Sequence, residues 1–257
     1  MSNEFGSGPG RDDRPRSGFP VFRAPTLLIG LVGALVGIHL ARGFLDPQTD
    51  YNLLLTFALF PARYAPTADG ATFIFPGGIY GDVWSLITYA FLHGDWAHLF
   101  FNSIWLLAFG TPVARRLGNL RFIAFYLVCG VIAAIVYAGA EAGSLIPVIG
   151  ASGAISGVVA GAALFVFEKQ GPLARFGFDH SVEALRAVPR RPAHRALTNG
   201  TALIFTAVWL GLTVLTGLMG IGATGEAAGI AWQAHLGGFI AGILLFPRFD
   251  PGAESDE

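Results

Sequence analysis

A few hydroxyl, imidazole and amide side chains, placed in stretches that are otherwise apolar, are the residues of this sequence that could do chemistry. Ser152 lies in the run Gly150-Ala151-Ser152-Gly153, whose glycines allow a tight backbone turn and let a carbonyl group approach the Ser152 N–H. A serine of this kind, paired with a histidine that accepts its proton, can carry out acyl transfer. On its own the motif is weak, because serine and small residues also serve to pack membrane helices.

His235 could supply the base, since it stands in a second stretch of small residues. In both stretches small residues recur at every fourth position: Gly153, Gly157 and Gly161 in the first, and Ala234, Gly238 and Gly242 in the second. Such faces allow two helices to pack backbone against backbone. We therefore expect Ser152 and His235 to lie at similar depth along one helix contact.

His98 and Asn102 are four residues apart, which places them on one face of a helix. Two interpretations of this pair remain open. The side chains could satisfy each other inside the membrane and thereby pin helix packing. Alternatively, they could both donate hydrogen bonds to an oxyanion that develops during acyl transfer.

The composition decides the class of protein that must position these residues. Of the 257 residues, 53% are hydrophobic and only 13% are charged, and the mean hydropathy is +0.59. An average soluble domain carries about 25% charged residues. A net charge of −1 and a single cysteine, Cys129, further exclude a disordered chain, a nucleic-acid-binding module and a disulfide scaffold. The sequence predicts a polytopic, all-helical membrane protein.

Six apolar stretches are long enough to cross a bilayer, which takes about 20 residues as a helix. They lie at residues 26–45, 93–113, 121–140, 150–167, 196–218 and 229–247. We expect them to form one compact six-helix membrane domain over residues 26–247, preceded by a disordered tail at 1–25 and followed by a short tail at 248–257. The long connection 46–92 includes the apolar but short segment Tyr51–Phe60, and we expect it to lie in the membrane interface.

The positive residues predict the orientation, because cytoplasmic segments of membrane proteins are enriched in Lys and Arg. With the N-terminus in the cytoplasm, 14 of the 16 Lys and Arg residues fall on the cytoplasmic side, and only Arg42 and Arg63 fall on the other. Both termini are therefore expected in the cytoplasm, and the 46–92 connection outside.

The polar residues of the predicted spans exclude several membrane functions. No Asp, Glu, Lys or Arg stands in the middle of a span, which argues against ion-coupled transport. The sequence also lacks a His-Glu-x-x-His zinc motif and a pair of intramembrane aspartates, so metal-dependent and aspartyl intramembrane proteolysis are excluded. No cofactor, metal or nucleic acid is expected.

Three motifs, in order along the chain, resemble those of the rhomboid intramembrane serine proteases in their six-helix bacterial form. The segment from His93 to Asn102 is similar to the family's His-Gly…His-x-x-x-Asn pattern, Gly150–Gly153 to its G-x-S-G, and Ala234–Gly242 to its Ala-His-x-Gly-Gly-x-x-x-Gly. The resemblance covers about residues 26–247.

This resemblance implies a role for each candidate residue. Ser152 would be the nucleophile and His235 the general base, while His98, Asn102 and the Ser152 N–H would form the oxyanion hole. The substrates would be transmembrane segments of other proteins, cut near their outer end, and the enzyme would reside in the bacterial inner membrane. The alternative is a non-catalytic rhomboid-like protein that binds transmembrane helices.

One departure from the family pattern bears on the site. Many relatives carry an aromatic residue four positions after the nucleophile, where it stacks beneath the histidine, but this chain has Ser156 there. We expect a water molecule or a hydroxyl group to replace that contact.

Overall fold

The computed structural model describes residues 24–175, 177–196, 200–219 and 231–252. Almost all of the predicted N-terminal tail and the last five residues lie outside the described residues. Within the described ranges the chain forms α-helices, short 3-10 turns and connections. The helices are α1 (Thr26–Arg42), α2 (Pro47–Phe57), α3 (Gly78–Thr88), α4 (Trp96–Leu117), α5 (Asn119–Ala140), α6 (Ser152–Ala163), α7 (Val182–Ala187), α8 (Ala193–Ala196), α9 (Gly200–Leu218) and α10 (Trp232–Phe249).

Each of the six predicted spans overlaps one of the longer helices: α1, α4, α5, α6, α9 and α10. Helix α4 runs four residues past its predicted end, and α5 begins two residues before its predicted start. Among the described residues, α4, α5 and α9 are long and apolar enough to cross a membrane, and α1 and α6 are shorter apolar helices. The prediction of an all-helical, polytopic membrane protein is confirmed. The last helix runs two residues further than predicted, because the Phe249 ring packs 5.5 Å from that of Phe125 on α5.

The small-residue faces of α6 and α10 pack against each other, as predicted. Every residue of α6 after Ser152 is buried. A side chain at Gly238 would overlap the Gly153 carbonyl oxygen, and one at Gly242 would overlap that of Gly157. These overlaps mean that the two backbones approach as closely as glycine permits. We call this contact the glycine seam.

The connection 46–92 is folded, and its polar groups bind backbone carbonyls. Trp84 Nε1 donates a 2.9 Å hydrogen bond to the Thr56 carbonyl, and the guanidinium of Arg63 donates to the Leu55 and Thr56 carbonyls. A single β-bridge between Leu59 and Val148 ties the connection to the segment that precedes Ser152. Its expected location in the membrane interface stays a prediction.

A buried charge cluster lies at the end of the bundle opposite Ser152. The guanidinium of Arg116, fully buried, donates two hydrogen bonds of 2.8 and 2.9 Å to the Asp250 carboxylate, and Arg190 contacts the same carboxylate at 3.2 Å. Arg116 also donates to the carbonyls of Leu185 and Val188. The cluster therefore joins α4, the 168–195 connection and the residue that follows α10.

Candidate active site

Ser152 is the first residue of α6 and is half-buried. The backbone turns into the helix at Gly150, whose φ of +120° disfavours any side chain. The Gly150 N–H donates a 2.9 Å hydrogen bond to the Tyr89 carbonyl, which fixes the turn. Because the first N–H groups of a helix have no partner within it, the Ser152 N–H is available to an incoming oxygen atom.

The glycine seam brings His235 to the level of Ser152. A Cβ atom at Gly153 would lie 3.7 Å from the Ala234 carbonyl oxygen, so the residues next to Ser152 and His235 in sequence face each other across the seam. His235 is half-buried, and its Nδ1 atom has no hydrogen-bond partner among the described residues. The predicted juxtaposition of the two helices at this depth is thus present in the fold.

His98 and Asn102 approach the same turn from α4. A Cβ atom at Gly150 would lie 2.7 Å from His98 Nε2 and 3.7 Å from Asn102 Nδ2. The side chain of Asp95 caps α4 by accepting a 2.8 Å hydrogen bond from the His98 N–H, and so determines where the helix begins. The structure therefore brings all four predicted residues to one end of the bundle.

The mutual-pairing interpretation of His98 and Asn102 is not supported by the hydrogen bonds. Asn102 is only 6% exposed, and its Nδ2 atom has no partner among the described residues. A buried amide donor normally has a partner, so one left free calls for an explanation. Its place beside Gly150 leaves it available to a group that enters next to Ser152.

The expected hydroxyl support for His235 is not supplied by Ser156. The Ser156 hydroxyl donates a 2.6 Å hydrogen bond to the Ser152 carbonyl of its own helix. An aromatic ring contacts the imidazole instead: Trp209 of α9 stacks on His235 with ring centroids 6.2 Å apart and planes 20° from parallel. Sequence reasoning missed Trp209, because the sequence of an apolar span does not indicate which neighbouring helix a tryptophan will pack against.

The sequence analysis also did not identify Tyr89 as a residue of the site. Its ring is buried, its hydroxyl donates a 2.8 Å hydrogen bond to the Gly130 carbonyl, and the same hydroxyl lies close to Gly153. It thereby links α5 to the start of α6. Within the parts of the chain that the structure describes, no group of three or more His, Cys, Asp or Glu side chains could hold a metal ion.

Comparison with known proteins decides the family. The family model of the rhomboid domain matches residues 80–249, which include all four predicted site residues. This chain belongs to the rhomboid family. Together with the apolar helices, membership makes it a multi-pass membrane protein.

Several curated relatives share part of the sequence. Rhomboid protease GluP of Bacillus subtilis is 43% identical over 89 residues, which cover 34% of this chain and 16% of GluP. The putative rhomboid protease YdcA of the same organism is 38% identical over 101 residues, covering 39% of this chain and 49% of YdcA. Rhomboid protease AarA of Providencia stuartii is 28% identical over 182 residues, covering 64% of this chain and 55% of AarA. The chain thus spans about half or less of the length of these relatives.

Proposed function

We propose that this protein is an intramembrane serine endopeptidase that cleaves transmembrane segments of other membrane proteins. The observation that carries the proposal is the glycine seam, which places Ser152 at the start of a buried helix and His235 at the same level of the facing helix. Membership of the rhomboid family and the protease names of the relatives support it.

The reaction is acyl transfer to Ser152 followed by hydrolysis. Its hydroxyl oxygen attacks the carbonyl carbon of the substrate peptide bond while His235 accepts the hydroxyl proton. His235 then returns that proton to the leaving amine, and the peptide remains bound to Ser152 as an ester. A water molecule, deprotonated by His235, hydrolyses the ester and restores the serine.

His98, Asn102 and the Ser152 N–H stabilise the negative charge on the substrate oxygen in this scheme. The Asn102 amide, whose Nδ2 atom has no partner among the described residues, and the imidazole of His98 lie against Gly150, two residues before the nucleophile. Donors that are in place before the reaction begins need no reorganisation when the charge develops, which makes them effective in an apolar environment.

The proposed location is the bacterial inner membrane, with both termini in the cytoplasm. The distribution of Lys and Arg supports this orientation, because 14 of 16 would then be cytoplasmic. Ser152 would lie at the outer end of α6, where water for the hydrolysis step can enter. Substrates would accordingly be cut near the outer end of their transmembrane segments.

The test uses the full chain in liposomes together with a panel of single-span membrane proteins. Wild type should cleave at least one of them, whereas Ser152→Ala and His235→Ala should each abolish cleavage and the double variant should lose no more than either. Ser103→Ala is the matched control, because the Ser103 hydroxyl bonds the Leu99 carbonyl within α4. Cleavage by Ser152→Ala at the wild-type rate would refute the proposal, and binding without cleavage by wild type would favour a non-catalytic helix-binding protein.

A further inference from the structure

The imidazole of His235 lacks the polar partners that normally orient a catalytic histidine. Its Nδ1 atom is buried without a hydrogen-bond partner among the described residues, and the nearby Ser156 hydroxyl is occupied by the Ser152 carbonyl. In most serine hydrolases a carboxylate holds the ring of the base in place. Among the described residues, the contacts that the structure gives the imidazole of His235 are ring-packing contacts.

Trp209 provides a packing contact of the required kind. Its indole stacks on His235 at 6.2 Å and on Phe239 at 5.8 Å, and these two residues are one turn apart on α10. The indole also meets the ring of Trp105 from α4 edge-on, with ring centroids 6.4 Å apart. It thus contacts both α4 and α10, and its plane is nearly parallel to the imidazole of the candidate base.

The contact between Trp209 and His235 lies on a helix that is exposed over most of its length. In the most apolar part of α9 only 17% of the residues are buried inside the protein, whereas the corresponding fraction is 39% for α4 and 44% for α5. The buried positions of α9 are Ala202, Thr206 and Thr213, and the partly buried ring of Phe205 packs against Phe109 and Phe167. Trp209, one turn further along α9, contacts His235 and Phe239 of α10 as well as Trp105 of α4.

We propose that Trp209 is a positioning residue that holds the ring of His235 in the orientation from which it accepts the Ser152 proton. The inference rests on the proposed function. In this proposal the aromatic contact that orients His235 comes from Trp209 on α9, and not from residue 156 on α6. Aromatic stacking restricts rotation of the imidazole about its Cβ–Cγ bond, and stacked pairs add to stability beyond the area that they bury.

The experiment measures how fast Ser152 of the reconstituted full chain reacts with a fluorophosphonate, across a range of pH. This reagent phosphonylates a serine activated by a base, so its rate reports on the base without a protein substrate. Trp209→Leu removes the aromatic face, and we expect the rate to fall on the order of tenfold and the midpoint of the pH profile to move. Trp209→Phe retains an aromatic ring and should restore most of the rate and the wild-type midpoint.

Phe205→Leu is the matched control on α9, because the Phe205 ring packs against Trp105, Phe109 and Phe167 and makes no ring contact with Trp209 or His235 among the described residues. It should lower the melting temperature about as much as Trp209→Leu while leaving the pH profile unchanged. A wild-type rate and profile in Trp209→Leu would overturn the inference, as would an equal change of profile in Phe205→Leu. If Trp209→Leu does not fold, Trp209→Met provides the same comparison.

The two proposals fail in distinguishable ways. Labelling that is absent in wild type, or that persists in Ser152→Ala, refutes the proposed function and this inference with it. Labelling that depends on Ser152 and His235 but is indifferent to the residue at position 209 refutes only the positioning role of Trp209.

Discussion

Asn102 is the residue whose environment most clearly separates a chemical role from a structural one. It is buried, and its amide Nδ2 atom has no hydrogen-bond partner among the described residues, although a polar group at this depth is expensive to leave unsatisfied. A residue that only pinned helices would stabilise the protein through a hydrogen bond of this amide, and none is made to the described residues. The proposed oxyanion role would give this amide a partner in the transition state.

We predict that Asn102→Ala lowers turnover by about 10²-fold or more, which is the usual loss for one oxyanion donor. Substrate binding and the melting temperature should change little, because no hydrogen bond of the resting protein is removed. His98→Ala should behave similarly, since both side chains address the same oxygen. Turnover and melting temperature are measured on the same reconstituted samples, with Ser103→Ala as the control from the same helix.

A structural role would give the opposite pattern in that experiment. If turnover of Asn102→Ala fell only as far as its folded fraction fell, the residue would be a packing residue and the oxyanion assignment would be wrong.

At the level of the elements, the glycine seam between α6 and α10 determines whether Ser152 and His235 can meet. Leucine-sized residues would keep the two helix axes 8–10 Å apart, as in ordinary helix packing. Glycines at 153, 157, 238 and 242 remove the side chains from the contact, so each backbone touches the other. The seam thus sets the distance between the helices that carry the two candidate residues.

We predict that Gly238→Ala destabilises the protein by about 1–3 kcal/mol, the typical effect of overpacking a filled contact, and abolishes most of the activity. The added methyl group would overlap the Gly153 carbonyl oxygen and push α10 away from α6. Thermal unfolding in detergent and cleavage in liposomes measure the two effects.

Gly37→Ala on α1 is the control for this substitution, because a Cβ atom at Gly37 meets nothing within 4 Å. It should leave both stability and activity at the wild-type level or slightly raise stability, since alanine favours the helix. Equal losses in the two variants would show that the effect of Gly238→Ala does not come from the seam.

For the whole molecule, the buried cluster of Arg116, Asp250 and Arg190 ties together parts of the chain that are far apart in sequence. Arg116 and Asp250 are separated by 134 positions, and both side chains are fully buried. The guanidinium of Arg116 also packs over the Phe165 ring, 4.6 Å from its centroid. A charge buried in this way is stable only while its partners stay in place.

We predict that Asp250→Ala destabilises the protein by about 3–5 kcal/mol, because it leaves two buried guanidinium groups without their carboxylate. Glu168→Gln removes the carboxylate that pairs with Arg191 in the same region, where the arginine is about one-third exposed, and should change stability by less than about 1 kcal/mol. Unfolding of both variants is followed in detergent. A small effect of Asp250→Ala would show that the cluster is not needed to close this end of the bundle.

The sequence by itself determined the features that depend on residues close together in the chain. Runs of apolar residues predicted the helices, so α5 begins within two residues of its predicted start and ends at the predicted residue, Ala140. The four-residue spacing of small residues predicted the contact between α6 and α10. The motifs around Asn102, Ser152 and His235 indicated the family, because each motif is local and its order along the chain is preserved.

Tertiary structure alone decided the contacts between residues that no local pattern relates. The stacking of Trp209 on His235 depends on how α9 is placed beside α10, and nothing in either helix specifies its partner. Asp250, predicted to belong to a tail, is instead a fully buried partner of Arg116. Whether a charged or aromatic side chain faces lipid, water or protein depends on the elements that surround it after folding. That is why hydropathy and spacing placed the helices and the four candidate residues but could not place these two side chains.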